Sequence, residues 1–182
     1  MDALSDVLRV VGLTGGVYLD AEFTAPWSVA GQVHTNLCRP FMVQPEHVVS
    51  FHYVVEGAFH VQVNGEPPLE ISAGQAVMVP RNELHIMGSD ISLPPVSAAD
   101  LINPPNTLGV SSIRHGGGGA RTRLVCGFMG GNSQLHPLLM HLPAAMKIDL
   151  GQIPGGDWIG RTFTYAAQTL SDGDAGASSV LA

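Results

Sequence analysis

The stretch "FHYVVEGAFHVQVNGEPPLEISAGQAVMVPRNELHIM", Phe51 to Met87, decides the fold. Its apolar residues alternate with polar ones in short runs, and each run ends on a glycine, proline or asparagine. A period of two means a strand with one buried face. The Asn64-Gly65 pair, flanked by alternating residues, marks a hairpin, because both residues tolerate the positive φ that a tight turn needs.

The same texture extends outward. "VYLDAEF" alternates so as to place Val17, Leu19 and Ala21 on one face, and "GQVHTNLC" follows it as another strand. Beyond the central stretch come "GVSSIRHG" and "RTRLVCGFMG". Many short strands at close spacing predict an antiparallel sandwich or barrel. A parallel α/β fold requires helical crossovers, and none fits before residue 135. Four prolines interrupt residues 89–106, which read as an exposed loop, mobile or folded against the body. "RHGGGGAR" is a further loop. It lacks the strand-to-helix setting and the following Lys-Ser/Thr of a phosphate cradle.

Both ends differ from the middle. Residues 1–15 read as an N-terminal arm with one short helix, on the spacing of Leu4, Val7, Leu8 and Val11. Residues 16–131 hold the β-rich body, and residues 132–172 read as helical. In that segment Leu138, Leu139 and Leu142 form a stripe broken by Pro143. A second stripe runs through Ile159, Phe163, Ala166, Ala167 and Leu170, suited to packing on the body or to a dimer seam. Residues 173–182 are small and polar until the last three, as at the start of a linker.

Composition narrows the function. The chain has 182 residues, 45 % of them hydrophobic and 13 % charged, enough for one domain with a sizeable core. Eight basic residues against fifteen acidic ones give a net charge of −7, and the cations lie in short islands such as Arg121 to Arg123. That balance argues against nucleic-acid binding by these residues. No apolar run is long enough to span a bilayer, and the start lacks the pattern of a secretory signal, so a cytoplasmic location is expected. The two cysteines, Cys38 and Cys126, are far apart and read as free thiols.

Gly74, Pro80, Asn82 and His85 fall on a signature of Gly, five residues, Pro, any residue, Gly, two residues, His, with Asn82 in the place of the second glycine. This resembles the second motif of the cupins, and the resemblance implies a mainly β, double-stranded β-barrel (jelly-roll-like) with C-terminal helices. The first cupin motif is where the chain departs. Its two histidine positions fall near Gln44 and Glu46, and its glutamate near Ser50. The resemblance therefore carries over one metal-ligand position, His85, and an iron or manganese enzyme is put in doubt.

Phe51-His52, the Pro80 to His85 turn and Cys126-Gly127 together look like the sensory cupin half of AraC-type transcriptional regulators. "APWSVA" near the start and "HPLLMHLPAAMKI" after the barrel share that likeness. It implies an effector-binding domain, dimerising through C-terminal helices and reaching DNA only through a helix-turn-helix half not contained in this chain. The alternative is a stand-alone metal-dependent cupin enzyme, an isomerase or dioxygenase. No nucleophile elbow or His-Glu zinc motif supports catalysis, and no catalytic residue is assigned.

Strand parity points His52 inward with Ser50 and Val54, and the cupin turn points His85 inward as well. Two imidazoles with the Cys126 thiolate make a candidate zinc or other divalent-metal site, with His34 or His115 as a candidate fourth ligand. The same residues are also explained, and more simply, as a buried, hydrogen-bonded histidine pair beside a small core thiol. For an effector, His52 and His85 are the orienting polar groups, and Phe51, Val54, Met78 and Met87 are wall candidates. Val61 and Val77 read as wall or core.

Overall fold

The computed structural model describes residues 14–38, 45–106, 110–131 and 137–172. The expected N-terminal helix and the linker lie outside the described residues. Among the described residues, two sheets face each other. One has six strands in the order β11-β6-β3-β10-β1-β9, and the other has five in the order β5-β4-β7-β2-β8. In chain order the strands are β1 (Thr14–Thr24), β2 (Ser28–Gly31), β3 (His47–Glu56), β4 (Ala58–Val63), β5 (Leu69–Ser72), β6 (Gln75–Val79) and β7 (His85–Gly88). They continue with β8 (Val96–Ser97), β9 (Ser111–Gly116), β10 (Arg121–Gly131) and β11 (Met146–Asp149). Pairing is antiparallel except for β1 with β9 and β2 with β8. Short helices α1 (Thr35–Cys38), α2 (Ala98–Leu101) and α3 (Pro137–Met140) connect strands, and the long α4 (Gly156–Asp172) lies last.

The turns use the residues that the sequence offers. Asn64 and Gly65 have φ of 51° and 72°, closed by the Glu66 N–H on the Val63 carbonyl at 2.9 Å. Asn82 sits at φ 50°, the left-handed conformation that the family's glycine would supply. Glycines 116, 117 and 119 press against the backbone of Thr24 to Pro26, where a Cβ would fall within 3.0 Å of its neighbours. The amides of Gly117, Gly118 and Gly119 are bonded to Thr24 and Ala25, so they are not free to cradle a phosphate.

Inward residues from both sheets merge into one core that includes Phe23, Trp27, Val54, Phe59, Val61, Val77, Leu124 and Phe128. Trp27 stacks on Phe23 with ring centroids 4.0 Å apart. Burying each such side chain is worth roughly 1.5–3 kcal/mol.

Several sequence expectations need correction. The alternation predicted for Val17, Leu19 and Ala21 is broken by a bulge between Val17 and Leu19. Val17 turns outward to a second cluster with Val125 and Ala167, while Tyr18 and Leu19 join the barrel core. "GQVHTNLC" is mostly not a strand. β2 ends at Gly31, and Thr35–Cys38 is a helical turn. The segment 132–172 is not helical throughout, because Met146–Asp149 forms an edge strand on β6. Pro143 stops α3 after one turn, and the lone strand is too short for periodicity to reveal. The loop 89–106 is folded against the body, supplying β8 and α2.

Helix α4 lies on the outer face of the larger sheet. Ile159 and Phe163 pack there with Tyr53, Val55 and Leu150, and Ala167 is buried beside Val125. Of the stripe's five residues, the side chains of Ala166 and Leu170 lie outside the described set. Arg123 donates to the Ala167 carbonyl, pinning the helix to β10. The same arginine bonds Asp20 at 3.1 Å, and Arg114 reaches that carboxylate at 2.8 Å. Arg121 bridges Glu22 and Glu56 at the surface, so both arginines of "RTR" are engaged in ion pairs, Arg123 with the buried Asp20.

Candidate functional site

β3 belongs to the larger sheet and β7 to the smaller, and they meet across the barrel at one pair of side chains. His52 Nε2 lies 2.9 Å from His85 Nε2. Both imidazoles are buried. His85 Nδ1 is anchored 2.9 Å from the Glu83 carbonyl oxygen, a contact supplied by the turn that Pro80 and Asn82 shape. His52 Nδ1 is buried with no hydrogen-bond partner among the described residues. Burial holds the His52 pKa well below the ordinary imidazole value, and neighbouring His85 lowers it further. Burial also lowers His85, partly offset by its bond to the Glu83 carbonyl. Both rings are neutral at pH 7.

Beside this pair is a cavity of about 130 Å³. Its inner wall includes Tyr18, Leu19, Phe23, Val29, Met87, Ile113 and Cys126 together with both histidines. Its mouth opens between the β2–α1 connection, with exposed Gln32 and His34, and α2, which contributes Ala98 and Ala99. Asn82 braces that mouth. Its side chain accepts from the Val33 N–H at 3.0 Å and donates to the Val33 carbonyl at 2.8 Å. Among the described residues, no Asp, Glu, Lys or Arg lines the cavity.

The structure separates the candidate residues. His52, His85, Met87 and Cys126 line the cavity, and His34 stands at its mouth. Val54 is buried in the barrel core but is not part of this wall. Phe51 and Met78 are corrected outright, because they face away from the barrel interior. They pair with each other across β3 and β6, and Phe51 packs on Phe163 of α4 at a centroid distance of 5.5 Å. The reason is parity, since a neighbour of an inward His52 must point outward. His115 lies on β9 and does not line the cavity.

The two dipeptides singled out in the sequence turn out to be one structural unit. Cys126 pairs with His52 and Gly127 with Phe51 across β10 and β3. The first pair faces inward. The second faces α4, where Gly127 leaves room for the Phe51 ring: a Cβ there would fall 2.2 Å from Phe51 Cζ.

The donor set does not suit a three-ligand metal site. Among the described residues, no group of three His, Cys, Asp or Glu side chains is placed to hold a metal ion. Burial also pushes the Cys126 thiol pKa far up, which opposes the thiolate that zinc prefers. Burial raises Cys38 too, to about 11, so neither cysteine has the character of a reactive thiol.

Sequence reading missed Tyr18, Ile113, Ala98 and the Gln32–Val33 segment. The Gly15-Gly16 pair ahead of Tyr18 is a bulge signal that parity counting passes over. The others come from non-local closure and leave no local trace.

A family model described as Cupin matches residues 2–182. The chain belongs to the cupin family. Solved structures similar to this cupin include a putative glyoxylate-induced protein from Pseudomonas aeruginosa, at 12 % identity and a TM-score of 0.34. That match covers 62 % of this chain and 30 % of the other. Ectoine synthase from P. lautus matches at 12 % identity and 0.33, covering 70 % and 61 %. ToxT from Vibrio cholerae O395 matches at 6 % identity and 0.38, covering 88 % and 45 %. The cupin thus spans less than two thirds of the length of each, and likenesses this distant carry no argument about activity. A search of curated proteins found no match. Among the described residues, no helix is long and apolar enough to cross a membrane.

Proposed function

We propose that this cupin is a ligand-sensing regulatory domain, of the kind that AraC-type transcription factors join to a DNA-binding half. The observation that carries the reading is the cavity of about 130 Å³ closed by a neutral histidine pair, with no charged side chain on its described wall. Such a space suits reversible capture of a small molecule better than acid–base or metal chemistry.

The β3–β10 unit supplies a means of transmission. His52 and Cys126 touch the cavity, while their neighbours Phe51 and Gly127 meet α4 through Phe163. A ligand that favours one setting of β3 thereby favours one seating of α4, and the output is a shift between populations. In this reading α4 also offers Trp158, 73 % exposed, to a second copy, giving a homodimer through the C-terminal helices.

Two measurements test the proposal. A small-molecule screen by thermal shift is expected to yield ligands that stabilise the wild type and not the His85→Leu variant. At a hundred times Kd the gain is about 2.7 kcal/mol. In the full-length protein, the same ligand must change promoter affinity, and failure of any hit to do so removes the regulatory half of the reading. Stoichiometric metal in the purified protein, lost in His85→Ala, would instead favour the metal-dependent enzyme.

A further inference from the structure

The proton positions of the histidine pair follow atom by atom. The Glu83 carbonyl oxygen only accepts, so His85 Nδ1, 2.9 Å away, carries the proton. Each ring is neutral because of its burial, and so has one N–H. His85 Nε2 is then a bare acceptor, and the 2.9 Å contact requires His52 Nε2 to donate. His52 Nδ1 remains as a lone pair without a partner, buried in a residue that lines the cavity. An unsatisfied buried acceptor costs roughly 1–3 kcal/mol, which an arriving donor recovers.

Size and charge restrict that donor further. A cavity of about 130 Å³ is close to the ~150 Å³ of an engineered apolar cavity that admits benzene. The wall around His52 is largely apolar, with Leu19, Phe23, Val29, Met87 and Ile113, and among the described residues it contains no counter-charge. An ionised ligand would lose its hydration without compensation.

Resting on the ligand-binding reading above, we propose that the cavity takes a small uncharged molecule, about the size of phenol, whose hydroxyl or N–H donates to His52 Nδ1. In this proposal the ring tilts about χ2, a broad torsion, to present the buried Nδ1 to the ligand while Nε2 keeps its bond to His85. His52 selects for the donor, and the apolar wall selects for shape and neutrality.

Titration of the purified chain with phenol, toluene and benzoate tests this, with affinities read by calorimetry or NMR. Phenol and toluene are near-isosteres differing in the donor. In a cavity without a waiting acceptor, toluene binds at least as tightly, because the hydroxyl loses its water. The expected result is phenol at least about tenfold tighter than toluene, the size of one net hydrogen bond, and no saturable binding of benzoate. In His52→Leu/His85→Leu, which removes both buried imidazole acceptors from the cavity wall, that preference is expected to disappear. Should this variant fail to fold, the ¹⁵N resonance of His52 Nδ1 in the wild type serves instead, moving upfield with phenol and not with toluene. Toluene equal to or tighter than phenol, or benzoate tightest, overturns the inference while leaving the cavity a ligand site. Binding of none of the three also overturns it, and the broader reading then stands or falls on its own screen.

Discussion

His52 Nε2 and His85 Nε2 stand 2.9 Å apart, one from each sheet, and form the polar link between the two halves of the barrel beside the cavity. Because each ring is neutral and the donor order runs from His52 to His85 to Glu83, neither histidine is dispensable alone. His85→Leu leaves the His52 N–H without an acceptor, and His52→Leu leaves His85 without its donor. Each is expected to lower stability by about 1–3 kcal/mol. The double variant is expected to lose less than the sum, a coupling readable in a denaturant double-mutant cycle. Strict additivity would show that the pair does not act as a unit.

The same pair sets a pH dependence. Both folded pKa values lie below the ordinary 6.5, so the unfolded chain takes up protons first as the pH falls. The contribution to stability is complete above pH 6.5 and is lost progressively below it, toward the lower folded values. Denaturation midpoints are expected to be flat above neutrality and to decline through pH 6 and 5. The His52→Leu/His85→Leu protein should lack that decline and retain only the carboxylate-driven loss at lower pH. An unchanged profile in the double variant would assign the decline to other groups.

Gly127 is expected to be intolerant of any side chain. A Cβ there meets Phe51 Cζ at 2.2 Å and the Gly16 carbonyl oxygen at 2.7 Å. Gly127→Ala should displace the Phe51 ring from Phe163 and cost about 1–3 kcal/mol, as overpacking does. Faster amide exchange in α4, with β4 and β5 unaffected, would locate the damage at the helix seat. Uniform change throughout the domain would count against that placement.

Asn82 offers a contrasting test. Asn82→Gly keeps the positive φ of 50° but removes both side-chain bonds to Val33. Stability is expected to fall by about 1–2 kcal/mol, with exchange accelerating at the Val33 amide. If stability rises instead, relief of the left-handed strain outweighs the bracing of the mouth.

Both thiols are expected to be inert in the folded protein. With Cys38 raised to about 11, only about a thousandth of it is thiolate at pH 8, and Cys126 is raised further. Labelling by a thiol reagent should follow unfolding, with native half-lives lengthened by any cavity ligand. Rapid labelling of native protein would show that burial does not protect them.

How much of this was legible beforehand follows from what is local. Alternation in "SFHYVV" is a property of neighbouring residues, so the inward placement of His52 and Ser50 needed no structure. The same parity should have sent Phe51 and Met78 outward, yet hydrophobicity made them wall candidates. An apolar residue on the outer face is explained only by a helix that covers that face, and α4 arrives more than a hundred residues after Phe51 in the chain.

The amino-acid sequence by itself determined the β-rich barrel, the Asn64-Gly65 and Asn82 turns, and the inward direction of both histidines, because strand period and turn chemistry act over a few residues. Only the tertiary structure decided that His52 and His85 touch, that the bulge brings Tyr18 into the cavity wall, and that Cys126-Gly127 is the cross-strand mate of Phe51-His52. Those depend on register and on closure of one sheet over the other. Such contacts join residues distant in the chain, and no local pattern encodes them.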